Sequence, residues 1–157
     1  MTSSARAGGM RVGKKDPRHR AREVAVQVLY QWEVGRGTID QAVDTVFTLQ
    51  WPDEGPPPEA LRAFATGLAR DTVAGLERVD TLIADTSERW RLERMPVLDR
   101  LILRMAVCEL LRSPQGGVPP AVVINEALEL ARTFSTEESV KFINGMLDAI
   151  RKKLETQ

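Results

Sequence analysis

Apolar residues recur along this chain at helical spacing, i, i+3, i+4 and i+7, almost from one end to the other. Ala21, Val24, Ala25, Val28, Leu29 and Trp32 form the first such stripe. Asp16 suits an N-cap and Pro17 the first helical position, so the spacing predicts a helix from about 17 to 35, stopped by Gly35 and Gly37. Thr38 with Gln41 reads as a capping box, and Ile39, Ala42, Val43, Val46 and Phe47 line a second helix. The stretch WPDEGPPP (51–58) breaks the period and is a loop. From Glu59 the stripe returns through Leu61, Phe64, Ala65, Leu68 and Thr72, then Leu76, Val79, Ile83 and Trp90. Gly75 interrupts this run, because glycine costs about 1 kcal/mol inside a helix, and two helices are predicted, about 59–74 and 76–88.

Pro96 stands near the start of the next helix, whose buried face is Leu98, Leu101, Ile102, Met105 and Cys108. SPQGGVPP (113–120) ends it, and Pro120 opens another with Ile124, Ala127, Leu128 and Ala131 inside. Ser135 with Glu138 reads as a second capping box, ahead of a last helix carrying Val140, Ile143, Leu147, Ile150 and Leu154. No stretch alternates long enough for a strand. The expected fold is all-α, a compact bundle of about seven helices held together by their packed faces. A single helical domain over 16–157, behind a flexible basic arm at 1–15, accounts for the 157 residues.

Composition changes this picture in one respect. The formal net charge is zero, yet residues 1–23 hold seven Lys/Arg (Arg6, Arg11, Lys14, Lys15, Arg18, Arg20 and Arg22) against Asp16 and Glu23. A basic end on an acidic body can grip phosphates despite the neutral total, although such a run is also what a merely solvated tail looks like. Arg18, Arg20 and Arg22 lie two apart, about 200° around a helix, so they cannot share one face; Arg18 and Arg22, four apart, make the best pair. Lys14 and Lys15 read as an electrostatic fringe.

Catalytic chemistry finds little support. The single histidine, His19, reads as a surface residue, and the single cysteine, Cys108, as a buried inert thiol. There is no metal-ligand spacing, phosphate-binding glycine loop or dinucleotide fingerprint, and no cofactor is expected. One cysteine, no apolar run of membrane-spanning length and a start without signal-peptide shape lead to the expectation of a cytoplasmic chain. A binding module is the expectation. Near the other end, Phe142 falls about 100–200° from Val140 and Ile143, and beside Lys141 it has the makings of a base-stacking platform next to a phosphate contact. Packing against a neighbouring helix is the competing reading. Gly145, in mid-helix, suggests a close backbone approach.

Three blocks, RHRAREVAVQVLYQWE (18–33), DRLILRMAVCELL (99–111) and INEALELARTFSTEESVKFINGMLD (124–148), resemble in order the blocks of the NusB family of bacterial transcription antitermination factors. The resemblance runs from about 17 to 151 and includes both the NEAxELA and KFxNGxLD patterns. It implies a non-enzymatic all-helical fold of two small subdomains, about 16–75 and 76–157 here. It also implies pairing with NusE, a ribosomal small-subunit protein, and joint binding of boxA RNA in nascent rRNA transcripts within an RNA polymerase antitermination complex. The family's arginine-rich motif falls on Arg18, His19, Arg20 and Arg22, with His19 where many members carry Arg or Lys. Its lysine–aromatic pair falls on Lys141 and Phe142, and its neighbouring acidic residue on Glu138. A partner-protein face would draw on Asp99, Glu109 and Glu138. Cys108 replaces a common Tyr or Trp, and the proline-rich loop is not a family hallmark. The same fold also occurs as a protein-interaction domain appended to rRNA cytosine methyltransferases. The end of this chain at Gln157 makes a stand-alone factor the expectation; monomer and homodimer both stay open.

Overall fold

The computed structural model describes residues 17–87 and 92–156. The expected basic arm at 1–15, with Lys14 and Lys15, lies outside the described residues, as do the Asp16 cap and Trp90. Seven α-helices follow one another: α1 (Pro17–Gly35), α2 (Ile39–Asp44), α3 (Glu59–Ala74), α4 (Leu76–Thr86), α5 (Val97–Arg112), α6 (Pro120–Phe134) and α7 (Glu137–Glu155). The described residues contain no strand. A single π-helical turn, Thr45–Leu49, prolongs α2 and brings Val46 and Phe47 into the core.

Local chemistry accounts for the boundaries. Thr38 and Gln41 close the reciprocal capping box: the Thr38 hydroxyl accepts from the Gln41 amide at 3.1 Å, and the Gln41 side chain accepts from the Thr38 amide at 2.9 Å. Gly75 separates α3 from α4 at the expected place. α1 stops at Gly35, but the left-handed residue that turns the chain away is Arg36 (φ 58°). Three expectations need correction. α4 ends at Thr86, before 88. The cap of α7 is Thr136, whose hydroxyl accepts from the Ser139 amide, because Ser135 is engaged elsewhere. At Gly145 a Cβ would meet nothing within 4 Å, so no close approach explains that glycine.

α5 is the axis of the bundle. Ten of its sixteen residues are buried, from Leu101 to Leu103 and from Met105 to Leu110 almost without a break, which an amphipathic surface helix never shows. α1, α3, α4, α6 and α7 all pack against it. Their stripes supply the rest of one continuous core, including Val24, Val28 and Leu29 of α1, Ile83 of α4, Leu130 of α6 and Ile143, Leu147 and Ile150 of α7. Each such side chain removed from water contributes about 1.5–3 kcal/mol. A part-buried ionic network adds definition at one side: Arg104 of α5 holds Asp80 of α4 with two hydrogen bonds of 2.8 and 2.9 Å and reaches Glu33 of α1, which Arg100 also meets at 3.3 Å. Among the described residues no helix is long and apolar enough to cross a membrane.

Candidate nucleic-acid interface

The first two turns of α1 carry the arginine-rich motif, and the helix sends its members in different directions, as a 200° step between alternate residues requires. Arg22 turns inward. It lies on the apolar stripe with Ala25, Val26 and Leu29, is 3% exposed, and donates through Nε and Nη2 to both carboxylate oxygens of Glu109 at 2.9 and 2.8 Å. Glu126 of α6 stands 3.7 Å from its Nη1. Arg22 was expected at the surface as a direct RNA contact; it is instead an internal tie between α1, α5 and α6. Arg18 is exposed, and its guanidinium carbon and that of Arg22 both lie 5.2 Å from the centroid of the Phe64 ring on α3. The pair therefore does meet, across an aromatic ring, with one member outside and one inside.

His19, expected as a surface residue and as a member of the RNA-binding motif, sits between two carboxylates. Its Nδ1 is 2.9 Å from Glu126 Oε1 and its Nε2 is 3.4 Å from Glu23 Oε2. Both nitrogens donate at once only in the imidazolium form. Arg20 points to the loop before α3, with Nη2 3.3 Å from Asp53 Oδ2 and its guanidinium carbon 5.5 Å from the Trp51 ring centroid. The motif is thus ordered by four acids, Glu23, Asp53, Glu109 and Glu126. The periodicity of the sequence places Arg22 on a buried stripe and so signals that an acid must face it. Nothing local identifies that acid, which is 87 residues away.

The second group lies at the start of α7. Asp99, in the first turn of α5 and 3% exposed, accepts from the hydroxyls of Ser135 and Ser139, each at 2.6 Å. Those two bonds, with the Thr136 cap, fix where α7 begins. Glu137 and Glu138 occupy its first turn, where the helix dipole favours negative charge. One turn on, Lys141 is exposed. Phe142 is partly buried: it packs on the core and also lines a cleft of about 390 Å³ with Met95, Pro96, Asp99, Thr136, Glu138 and Ser139. No α1 residue lines that cleft, so the two groups are separate places on the molecule. What they share is α5. Asp99 and Glu109 are ten residues apart on it, about 15 Å along the axis, each anchoring one group. Both had been expected on a partner-protein face. At 3% and 6% exposed they are internal, and of the three acids expected there only Glu138 is exposed.

Cys108, beside Glu109, is buried, and that burial pushes its thiol above the ordinary value of 9.0; the Glu109 charge acts in the same direction and a Thr72 hydrogen bond against it. The arrangement is that of an inert core thiol.

Removing one partner of a buried ion pair leaves the other charge stranded. Glu109→Ala is therefore expected to lower stability by about 3–5 kcal/mol, read as a fall in the urea midpoint, with a smaller loss in Glu109→Gln. For Cys108, the protonated thiol favours the folded state, so its contribution to stability is complete below pH 9.0 and declines as pH climbs beyond it. A thiol titration with a chromogenic disulfide at neutral pH should show slow reaction in the native protein and full, rapid reaction in denaturant. Rapid native labelling would contradict the buried environment.

Comparison with known proteins agrees with this architecture. A model of the NusB family matches residues 19–152. The transcription antitermination protein NusB of Solibacter usitatus is 45% identical over 137 residues, covering 87% of this chain and 90% of that protein. A solved structure of T. maritima NusB superposes with a TM-score of 0.75 at 35% identity, over 88% of this chain and 93% of its own. A crystal structure of the antitermination factors NusB and NusE in complex with dsRNA contains a chain that superposes with a TM-score of 0.75 at 25% identity, over 87% of this chain and 97% of that one. The match spans α1 to α7 and both residue groups anchored on α5, and the chain belongs to the NusB family.

Proposed function

We propose that this chain is a transcription antitermination factor that binds boxA-type RNA of nascent rRNA transcripts together with NusE, as part of an RNA polymerase antitermination complex in the cytoplasm. It acts by binding and not by catalysis. The observation that carries the reading is the likeness, along nearly the whole chain, to the NusB solved with NusE and dsRNA. The local chemistry is consistent with it. An arginine-rich helix start offers phosphate contacts, and a partly buried aromatic beside an exposed lysine offers a stacking surface.

The residues divide by what they can reach. Arg18, Arg20 and Lys141 are the phosphate contacts and Phe142 the stacking residue, while His19, held between Glu126 and Glu23, orders the motif. Arg22 orients the motif through Glu109 and touches no RNA itself. Asp99 plays the same positioning part for Phe142. Glu138, exposed at the rim of the Phe142 cleft, is a NusE contact. Few phosphates are neutralised by so small a set, so affinity alone is modest and salt-sensitive, and NusE sharing the RNA supplies the rest.

Fluorescence anisotropy of labelled boxA RNA, with and without NusE, tests this. The Arg18→Ala plus Arg20→Ala double variant should bind more weakly and with a flatter salt dependence at unchanged helicity; unaltered RNA affinity would remove the motif from the interface. Phe142→Ala should lose about 1–3 kcal/mol of binding. A large fall in Tm with normal RNA affinity would make Phe142 a core residue only.

A further inference from the structure

We infer that Asp53 sets the RNA affinity of this chain by occupying Arg20 as an internal stand-in for an RNA phosphate. The inference rests on the RNA-binding reading above and adds a residue to it. The loop between the π-helical turn and α3 bends back over the start of α1. Its Trp51 is partly buried and tilted at 35° against Phe47, with ring centroids 5.9 Å apart, so the loop has an anchored end. Pro56, Pro57 and Pro58 stiffen the other end. Between the two anchors, Asp53 Oδ2 meets Arg20 Nη2 at 3.3 Å while the Arg20 guanidinium lies near the Trp51 ring.

A carboxylate and a phosphate present the same kind of acceptor oxygens to a guanidinium fork, so one can replace the other on Arg20. Exposure decides which ion pair of the motif is exchangeable. The Arg22 and Glu109 side chains are 4% and 8% exposed, and that pair is locked in the core. The Arg20 and Asp53 side chains are 31% and 59% exposed, so their pair is hydrated and easily opened. RNA arriving at α1 therefore competes with Asp53 for Arg20, and Trp51 remains beneath the guanidinium after the exchange. The loop carries a second acid, Glu54, which keeps its field negative.

The test is anisotropy with a labelled single-stranded boxA RNA and NusE, on the full chain. Asp53→Asn should tighten binding by roughly 2–5-fold, the range expected for removal of an exposed pair. Glu54→Gln, which removes the same charge one residue on, should tighten it less. In the Arg20→Ala background the Asp53→Asn gain should vanish, because the competitor then has nothing to occupy. Asp53→Asn binding equal to or weaker than wild type would overturn the inference, the weaker case making Asp53 a residue that positions Arg20. An equal gain from Glu54→Gln, or a gain that persists without Arg20, would also overturn it in favour of a general charge effect. Wild-type chain that shows no RNA binding even with NusE would instead overturn the RNA reading on which the inference stands.

Discussion

The molecule depends on a helix that has no free face. α5 is surrounded by five of the other six helices, and it carries two carboxylates into that apolar setting, Asp99 in its first turn and Glu109 in its last. A buried charge without partners costs several kcal/mol, so each carboxylate must be answered by donors. Ser135 and Ser139 answer the first and Arg22 the second. Those donors sit at the starts of α7 and α1, the two places where the chain carries its candidate RNA contacts. The cost of keeping charge in the core is thus tied to the location of both groups.

This reshapes the meaning of the basic motif. Formal charge at the start of α1 suggests a loose cationic arm, yet His19, Arg20 and Arg22 are each matched with acids and Arg18 lies over the Phe64 ring. Glu109 and Glu126 hold Arg22, Glu126 and Glu23 hold His19, and Asp53 holds Arg20. The pairs range from fully buried to well exposed. A buried pair adds little net stability but fixes geometry, whereas an exposed one can be exchanged for a ligand at small cost. The same residue type is therefore framework at Arg22 and an exchangeable surface pair two positions earlier, at Arg20.

Most of the fold was legible in the sequence because the helical stripes are long and their punctuation is chemical. Pro17, the Thr38–Gln41 box, Gly75 and Pro120 each mark a boundary that the structure keeps. The last capping box was misread because Ser135 competes for it: both Ser135 and Thr136 have the right chemistry, and only the distant Asp99 decides between them. The site was legible in part. The sequence presents Arg18, Arg20, Lys141 and Phe142 in recognisable blocks, but the burial of Arg22, Asp99 and Glu109 follows from pairings across 36 to 87 residues. Spacing within one helix carries no information about which acid of another helix will be opposite. The acid that faces Arg20 lies in a loop with no periodicity at all.

The place of α5 in the chain has a consequence for synthesis. α1, α2 and α3 contact one another and can begin to associate as they leave the ribosome. Their inner faces still await α5, and Arg22 has no Glu109 to receive it until residue 109 has emerged. Asp99, in turn, must wait for Ser135 and Ser139 of the segment that follows. The central helix thus arrives between the two groups it organises, and neither end of the chain can take its final form while that helix is missing. A chain of this architecture can settle Arg20 against Asp53 early in its own translation, but it fixes Arg22 only once α5 is out and Phe142 later still.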